Sequence, residues 1–292
     1  MEIDGKTRVV GIIGWPVSHS LSPLMHNAAF RHLRLNYCYI PLPVAPEKIG
    51  EAVRGLEALG FVGANVTIPH KEAVIPYLAE LDVGAELTGA VNTIVRTPAG
   101  LKGYNTDVDG FLRSLKEDLG FVPIGKKVVI LGAGGAARAA VVALALAGAA
   151  AIVVLNRNPA RGRALCELLA PRLRERGWQG ELTAFPLPPE DEEKVFQGAN
   201  LLVNATPAGM EGFTAELPLP LEQLPGELVV YDMVYNPPMT PLLQECRRRG
   251  LQAVNGLGML LYQGAAAFTL WTGREAPVEI MASVLAKQVE NQ

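Results

Sequence analysis

Lys127-Val128-Val129-Ile130-Leu131 runs directly into Gly132-Ala133-Gly134-Gly135-Ala136-Ala137 and then into an alanine-rich stretch. An apolar strand, a glycine turn and a helix in that order leave few choices of fold. They place the segment inside a parallel sheet whose strands are joined by helical crossovers. The pattern GxGxxA has a physical meaning at each small residue. Gly132 permits the tight turn, Gly134 lets the backbone approach a pyrophosphate, and Ala137 allows the helix to pack closely on the strand. The free N–H groups at the start of the helix, around Gly135 and Ala136, can hold the anion. Gly132, Ala133, Gly134, Gly135 and Ala136 are therefore candidate contacts to a dinucleotide.

The end of the next strand narrows the choice of dinucleotide. A carboxylate commonly stands there when the ligand's ribose hydroxyls are free. Here Asn156, 24 positions after Gly132, opens the run Asn156-Arg157-Asn158-Pro159-Ala160-Arg161. A carboxylate would repel a 2′-phosphate, whereas Arg157 can stack on adenine or pair with that phosphate, and Arg161 follows one helical turn later. NADP is expected in preference to NAD. Farther on, Asn204-Ala205-Thr206-Pro207-Ala208-Gly209 ends another strand with small and polar residues, which makes Thr206 a further candidate beside the nicotinamide ribose.

Strand-like and helix-like stretches alternate along the whole chain, which predicts an α/β protein with two mainly parallel sheets. Strands are expected at Val9–Ile13, Tyr37–Leu42 and 64–68 in the first series, with helices from about Pro23 and over Ile49–Leu59. A second series has strands at Val128–Leu131, Ile152–Leu155, Leu201–Asn204 and Val229–Asp232, with a linking helix at Gly110–Leu119. The final segment, Met259–Leu270 and Val278–Val289, is helical in pattern. The expected division is a substrate domain of residues 1–107 plus 256–292 and a Rossmann-type NADP domain of residues 108–255, facing each other across a cleft.

At 292 residues, 49% of them hydrophobic and 19% charged, the chain can bury two cores. A net charge near −3 argues against nucleic acid as a partner, and the one dense basic run, Arg247–Arg249, precedes Gly250 at an apparent helix end, where cations suit the helix dipole. Cys38, Cys166 and Cys246 follow no metal-ligand or redox spacing, so no metal is expected and a reducing compartment fits. The start of the chain lacks a signal-peptide pattern, and Gly148 divides the apolar run 139–155 into a buried helix and a buried strand. A cytoplasmic protein with no membrane association is expected. The sequence leaves room for a homodimer.

The loop Gly14-Trp15-Pro16-Val17-Ser18-His19-Ser20-Leu21-Ser22-Pro23 joins the first strand to a helix for which Ser22 is the expected cap and Pro23 the first residue. Ser18 and Ser20 then remain to donate to one carboxylate, which suits a small acidic substrate. The segments SHSLSP, ANVTIPHK, GAVNT, GYNTD, GAGGAAR, NRNPAR, NATPAG, YDMVY and GLGMLLYQGA occur here in order. In that order and spacing, from about residue 9 to residue 270, the chain resembles the shikimate dehydrogenase family.

The resemblance implies an NADPH-dependent, reversible reduction of 3-dehydroshikimate to shikimate, a step of aromatic amino acid biosynthesis. It implies Lys71 and Asp107 as the catalytic pair. Ser18, Ser20 and Tyr235 would hold the substrate carboxylate, Thr67, Asn92 and Gln263 would contact ring hydroxyls, and Met233 and Gly256 would join the cofactor contacts. The chemistry agrees, because negative charge developing on a ketone oxygen needs a cation or proton donor, which a lysine ammonium supplies. His70, Asn158 and Asn255 depart from the more familiar pattern, Asn158 by putting an amide where a hydroxyl commonly faces the cofactor phosphate. A quinate/shikimate dehydrogenase with broader substrate and cofactor use is the alternative, and a non-catalytic NADP-binding sensor is a rival from another class.

Overall fold

The computed structural model describes residues 2–213, 217–219 and 221–290. The chain divides into two compact units, Met1–Gly110 with Leu261–Gln292, and Phe111–Leu260. Both boundaries fall a few residues beyond the positions expected from sequence, because each lies inside a helix rather than in a linker.

In the first unit the chain order is β1 (Arg8–Gly14), α1 (Ser22–His32), β2 (Tyr37–Pro43), α2 (Ile49–Ala58), β3 (Gly63–Val66), β4 (Glu80–Leu81), α3 (Val83–Thr88), β5 (Thr93–Thr97) and β6 (Gly100–Tyr104). α4 (Thr106–Leu119) leads out of it. Its sheet has the order β2-β1-β3-β5-β6-β4. β1 is parallel to β2 and β3, whereas β5 is antiparallel to both β3 and β6. The β5–β6 hairpin was not expected from the sequence. Arg96 and Lys102 interrupt its apolar residues, and its turn, Pro98-Ala99, is short.

The second unit contains β7 (Lys127–Leu131), α5 (Gly135–Leu146), β8 (Ala151–Asn156), α6 (Pro159–Glu175), β9 (Glu181–Pro186), α7 (Glu192–Phe196), β10 (Ala199–Asn204), β11 (Val229–Asp232), α8 (Pro241–Arg249) and β12 (Ala253–Asn255). α9 (Leu257–Thr272) and α10 (Val278–Glu290) complete the chain. All pairs in the sheet β12-β11-β10-β7-β8-β9 are parallel. Its central strands are covered on both faces, so Val128–Leu131 are fully buried, and each such side chain contributes roughly 1.5–3 kcal/mol of hydrophobic stabilisation. β9 and β12 were also missed from sequence: both are edge strands with partly exposed residues. α8 matches its sequence signals, with Thr240 accepting from the Leu243 N–H, Pro241 opening the helix, and Gly250 closing it in the left-handed region.

In the first unit, α10 packs on α1, and α9 returns Phe268 and Trp271 to an aromatic cluster with Phe30, Tyr37 and Tyr39. His26 sits within it, stacked on the Tyr39 ring at 4.6 Å and tilted against Trp271 at 5.3 Å. Neither of its ring nitrogens has a hydrogen-bond partner, and burial lowers its pKa to about 3. The unfolded chain has a histidine of ordinary pKa, so this group contributes stability above about pH 6.5 that is lost as pH falls toward 3. We predict that roughly 2 kcal/mol of unfolding free energy disappears between pH 7 and pH 5 through His26 alone. Denaturant titrations should show that component missing in His26→Phe. Parallel pH slopes for the two proteins would refute it, and a constant packing offset would not affect the comparison.

Candidate functional site

Each sheet has one point where successive connections leave in opposite directions, and open α/β sheets form ligand crevices at the carboxyl ends of strands at such points. In the first unit this lies between β1 and β3. The Trp15 N–H donates to the Ile68 carbonyl at 3.1 Å and the Thr67 N–H donates to the Ile13 carbonyl at 2.8 Å, so the loops after β1 and β3 are fastened together. Gly14 makes this approach possible: a Cβ there would lie 2.5 Å from the Thr67 methyl.

Lys71 follows directly. The His70 N–H donates to the Thr67 carbonyl at 2.9 Å and the Val91 N–H donates to the Lys71 carbonyl at 2.7 Å. His70 is fully buried, and its Nε2–H donates to the Val44 carbonyl at 2.7 Å. With its backbone held from both sides, Lys71 extends Nζ to Asp107 Oδ2 at 2.6 Å. Asp107 lies in the first turn of α4, just after β6. The pairing of Thr93 with Tyr104 in the hairpin brings residues 92 and 105–107 to the same end of the sheet. Asn92 Nδ2 thus donates to Asp107 Oδ1 at 2.8 Å and lies 3.5 Å from Gln263 Oε1 on α9. The Lys71 and Asp107 side chains keep 30% and 15% of their surface exposed, enough for a small ligand to reach them.

The serines differ from expectation. Ser22 is not the helix cap. Leu21 occupies that position without a side-chain bond and Ser22 is the first helical residue. Ser22 is buried, its N–H donates to Ser20 Oγ at 3.3 Å, and its hydroxyl is bonded to that of Tyr39, a phenol whose pKa burial raises. Ser18 is exposed on the loop. The structure therefore groups Ser20 with Ser22, a pair the sequence signalled only through its alternate-serine spacing. Thr67 and Gln263 are both half-buried in this unit.

In the second unit the point of reversal lies between β7 and β10. Gly132 has φ +107°, and a Cβ on it would meet the Ala205 carbonyl oxygen at 2.9 Å, so the turn itself demands glycine. Gly134 is different. Its backbone is extended, and a Cβ on it, as on Gly135, would meet no protein atom within 4 Å. The protein's own packing does not require glycine there, whereas a closely bound pyrophosphate would. No side chain caps α5 and no acid occupies its first turn, so its N–H groups and positive dipole end are open. Beside it lies a cavity of about 300 Å³ lined by Gly132, Ala133, Asn156, Arg157, Arg161 and Thr206 among others. Arg157 and Arg161 are exposed. Asn158 uses Oδ1 to cap α6, accepting from the Ala160 and Arg161 N–H groups at 3.0 and 3.4 Å. These features fit a dinucleotide with a phosphorylated ribose.

Met233, Tyr235 and Gly256 belong to the same unit and lie outside the lining of that cavity. The Met233 N–H donates to the Asn204 carbonyl at 2.9 Å. A Cβ on Gly256 would collide with the Met233 carbonyl, and burial raises the pKa of the Tyr235 phenol. One contributor was missed: Asp232, fully buried at the end of β11. Burial raises its pKa, opposed by donors that favour the carboxylate. Thr240 Oγ1 donates at 2.6 Å, Asn204 Nδ2 at 2.9 Å and the Val234 N–H at 3.1 Å. Asn204 Oδ1 in turn accepts from the Thr206 hydroxyl at 2.7 Å, which fixes Thr206 at the cavity wall. Among the described residues no group of His, Cys, Asp and Glu is gathered as a metal site, and no helix is long and apolar enough to cross a membrane.

Comparison with known proteins places this geometry. Residues 12–94 match the model of the shikimate dehydrogenase substrate binding domain, 119–175 that of shikimate/quinate 5-dehydrogenase, and 256–285 that of the shikimate 5'-dehydrogenase C-terminal domain. A shikimate dehydrogenase (NADP(+)) of Methanopyrus kandleri is 50% identical over 290 residues, covering 99% of this chain and 98% of that protein. The shikimate 5-dehydrogenase of Thermus thermophilus, solved with NADP(H) and shikimate, is 38% identical with a TM-score of 0.83, covering 96% of this chain and 99% of that one. A quinate dehydrogenase from Corynebacterium glutamicum, solved with NAD, is 30% identical with a TM-score of 0.87 over 96% and 99% of the two chains. With half its residues identical to such a relative over nearly its full length, the chain belongs to the shikimate dehydrogenase family.

Proposed function

We propose that this protein is an NADP-dependent shikimate dehydrogenase, catalysing the reversible reduction of 3-dehydroshikimate to shikimate in the cytoplasm. The observation that carries the reading is the Lys71–Asp107 ion pair at 2.6 Å, shielded but reachable, with Asn92 on the second carboxylate oxygen. Bound NADPH would supply the hydride. The Lys71 ammonium places positive charge where the carbonyl oxygen gains electrons and can deliver the proton that completes the alcohol. Asp107 orients that ammonium and accepts from the adjacent hydroxyl, a role for an acceptor with two charged oxygens. Ser18, Ser20 and Tyr235 are assigned to the substrate carboxylate, with Ser22 added because it is placed beside Ser20. Thr67, Asn92 and Gln263 are assigned to ring hydroxyls. On the cofactor side, Gly132–Ala136 cradle the pyrophosphate, and Asn156, Arg157, Asn158 and Arg161 hold the phosphorylated ribose. Thr206, Met233 and Gly256 border the nicotinamide. A homodimer and a small-molecule substrate complete the reading, with neither nucleic acid nor membrane as partner.

The NADP preference rests on Arg157 and Arg161 in place of an acid, and on 50% identity to a relative named as an NADP(+) enzyme. Absorbance at 340 nm, with shikimate or quinate offered together with NADP or NAD, distinguishes the two readings. Shikimate with NADP should be the fast combination, and comparable turnover of quinate or use of NAD would move the protein to the broader class.

Two substitutions test the residue roles. Lys71→Ala should lower kcat at least a hundredfold, equivalent to about 2.7 kcal/mol of transition-state stabilisation, and undiminished turnover would sink the assignment. Gly134→Ala should lower the melting temperature by no more than a few degrees, the cost of losing glycine at the helix cap, since its Cβ meets no protein atom. It should raise KM for NADP at least tenfold while leaving KM for shikimate unchanged. A variant with unchanged KM for NADP would remove Gly134 from the cofactor site.

A further inference from the structure

Behind Asp107 lies a buried polar chain in which only Asn92 has been assigned a role. Tyr39, Asn65, Asn92, Thr93 and Thr106 each expose 5% of their surface or less, yet their polar groups meet one another end to end. The Tyr39 hydroxyl donates to Asn65 Oδ1 at 2.7 Å. Asn65 Nδ2 donates to the Asn92 carbonyl at 3.2 Å and to Thr93 Oγ1 at 3.0 Å. Thr93 Oγ1 lies 3.2 Å from both Asn92 Oδ1 and Thr106 Oγ1. Asn92 Oδ1 also accepts from the Thr106 N–H at 2.7 Å and from the Thr106 hydroxyl at 3.1 Å.

The directions of these bonds are not interchangeable. A backbone carbonyl only accepts, so the Asn92 carbonyl fixes which end of the Asn65 amide is nitrogen. Thr93 then receives one donor from Asn65 and has a single proton left. That proton passes either directly to Asn92 Oδ1 or to Thr106 Oγ1, whose own proton goes to the same oxygen. By both routes donors converge on Asn92 Oδ1, leaving Asn92 Nδ2 to face the Asp107 carboxylate. A flipped Asn92 would set its nitrogen against the Thr106 N–H and its oxygen against a carboxylate, two repulsive contacts in a buried site.

We infer that Thr93 is a positioning residue for the dehydrogenase reaction. Its hydroxyl joins Asn65 to Asn92 and so holds the Asn92 amide in the one orientation that fixes Asp107, and through it Lys71. This rests on the roles proposed above for Lys71 and Asp107. Thr93 is fully buried beneath Asn92, so it acts through that residue and needs no contact with substrate. Removing its hydroxyl takes one of two acceptors from Asn65 Nδ2 and one of three donors from Asn92 Oδ1, so the amide facing the carboxylate is held less firmly, by the Thr106 N–H and hydroxyl alone.

Thr93→Val keeps the shape and deletes only the hydroxyl. With shikimate and NADP at saturation, kcat should fall about fivefold or more. KM for NADP should stay within twofold of the wild type, because the cofactor loop lies in the other unit. Thr93→Ser, which restores the hydroxyl without the methyl, should recover kcat to within twofold. If Thr93→Val does not fold, Thr93→Ala compared with Thr93→Ser gives the same contrast. Wild-type kcat in Thr93→Val, or a Thr93→Ser variant as impaired as Thr93→Val or Thr93→Ala, overturns the inference. Lys71→Ala and Asp107→Ala measured in parallel separate the two readings. If both lose activity while Thr93→Val keeps it, only the positioning role fails, and if both retain activity the site assignment itself fails.

Discussion

The carboxylate of Asp107 is the point on which the polar contacts at one end of the first unit's sheet converge. One oxygen accepts from Lys71, beyond the end of β3, and the other from Asn92, at the start of β5. Two segments separate in sequence are thus referred to a single planar group whose own backbone is set by the first turn of α4. An exposed ion pair of this kind would contribute little to stability. Partly shielded and supplied with a second donor, it has instead a defined geometry, which is what the proton transfer proposed for it would need.

The second unit uses the same device without the exposure. Asp232 is fully buried and binds Thr240, Asn204 and the backbone after β11. Burial alone would drive such a group toward its neutral form, and the three donors oppose that. The result orders the loops after β10 and β11, from which Thr206, Met233 and Tyr235 emerge. In both units a carboxylate near the carboxyl end of a strand fastens loops that the sheet hydrogen bonds cannot reach.

Much of this was legible in the sequence where the physics is local. The GxGxxA turn, the apolar runs of the parallel strands, Gly250 after a basic helix end and the missing acid near Arg157 each carry their meaning within a few residues. What escaped was non-local or balanced. β5 and β6 mix Arg96 and Lys102 with apolar residues, so their pairing is visible only in three dimensions, and that pairing brings Asn92 to Asp107. Ser22 was read as a cap because serine before proline commonly is one, and the helix starts one residue earlier than that rule assumes. Thr93 and Asp232 fall inside the segments GAVNT and YDMVY, but nothing local marks out either one, since a buried threonine in a strand reads as filler and an aspartate at a strand end reads as a turn.

The two glycines of the cofactor turn separate folding from function at neighbouring positions. Gly132 is required by the chain itself, through its left-handed backbone and its closeness to Ala205, whereas Gly134 borders open space. A change at the first is visible to chaperones and proteases, because it disturbs the fold. A Cβ added at the second disturbs no protein contact and passes that surveillance, so under the assignment proposed above it would weaken cofactor binding in a protein that still folds. On that assignment cellular quality control guards one half of the glycine turn and is blind to the other.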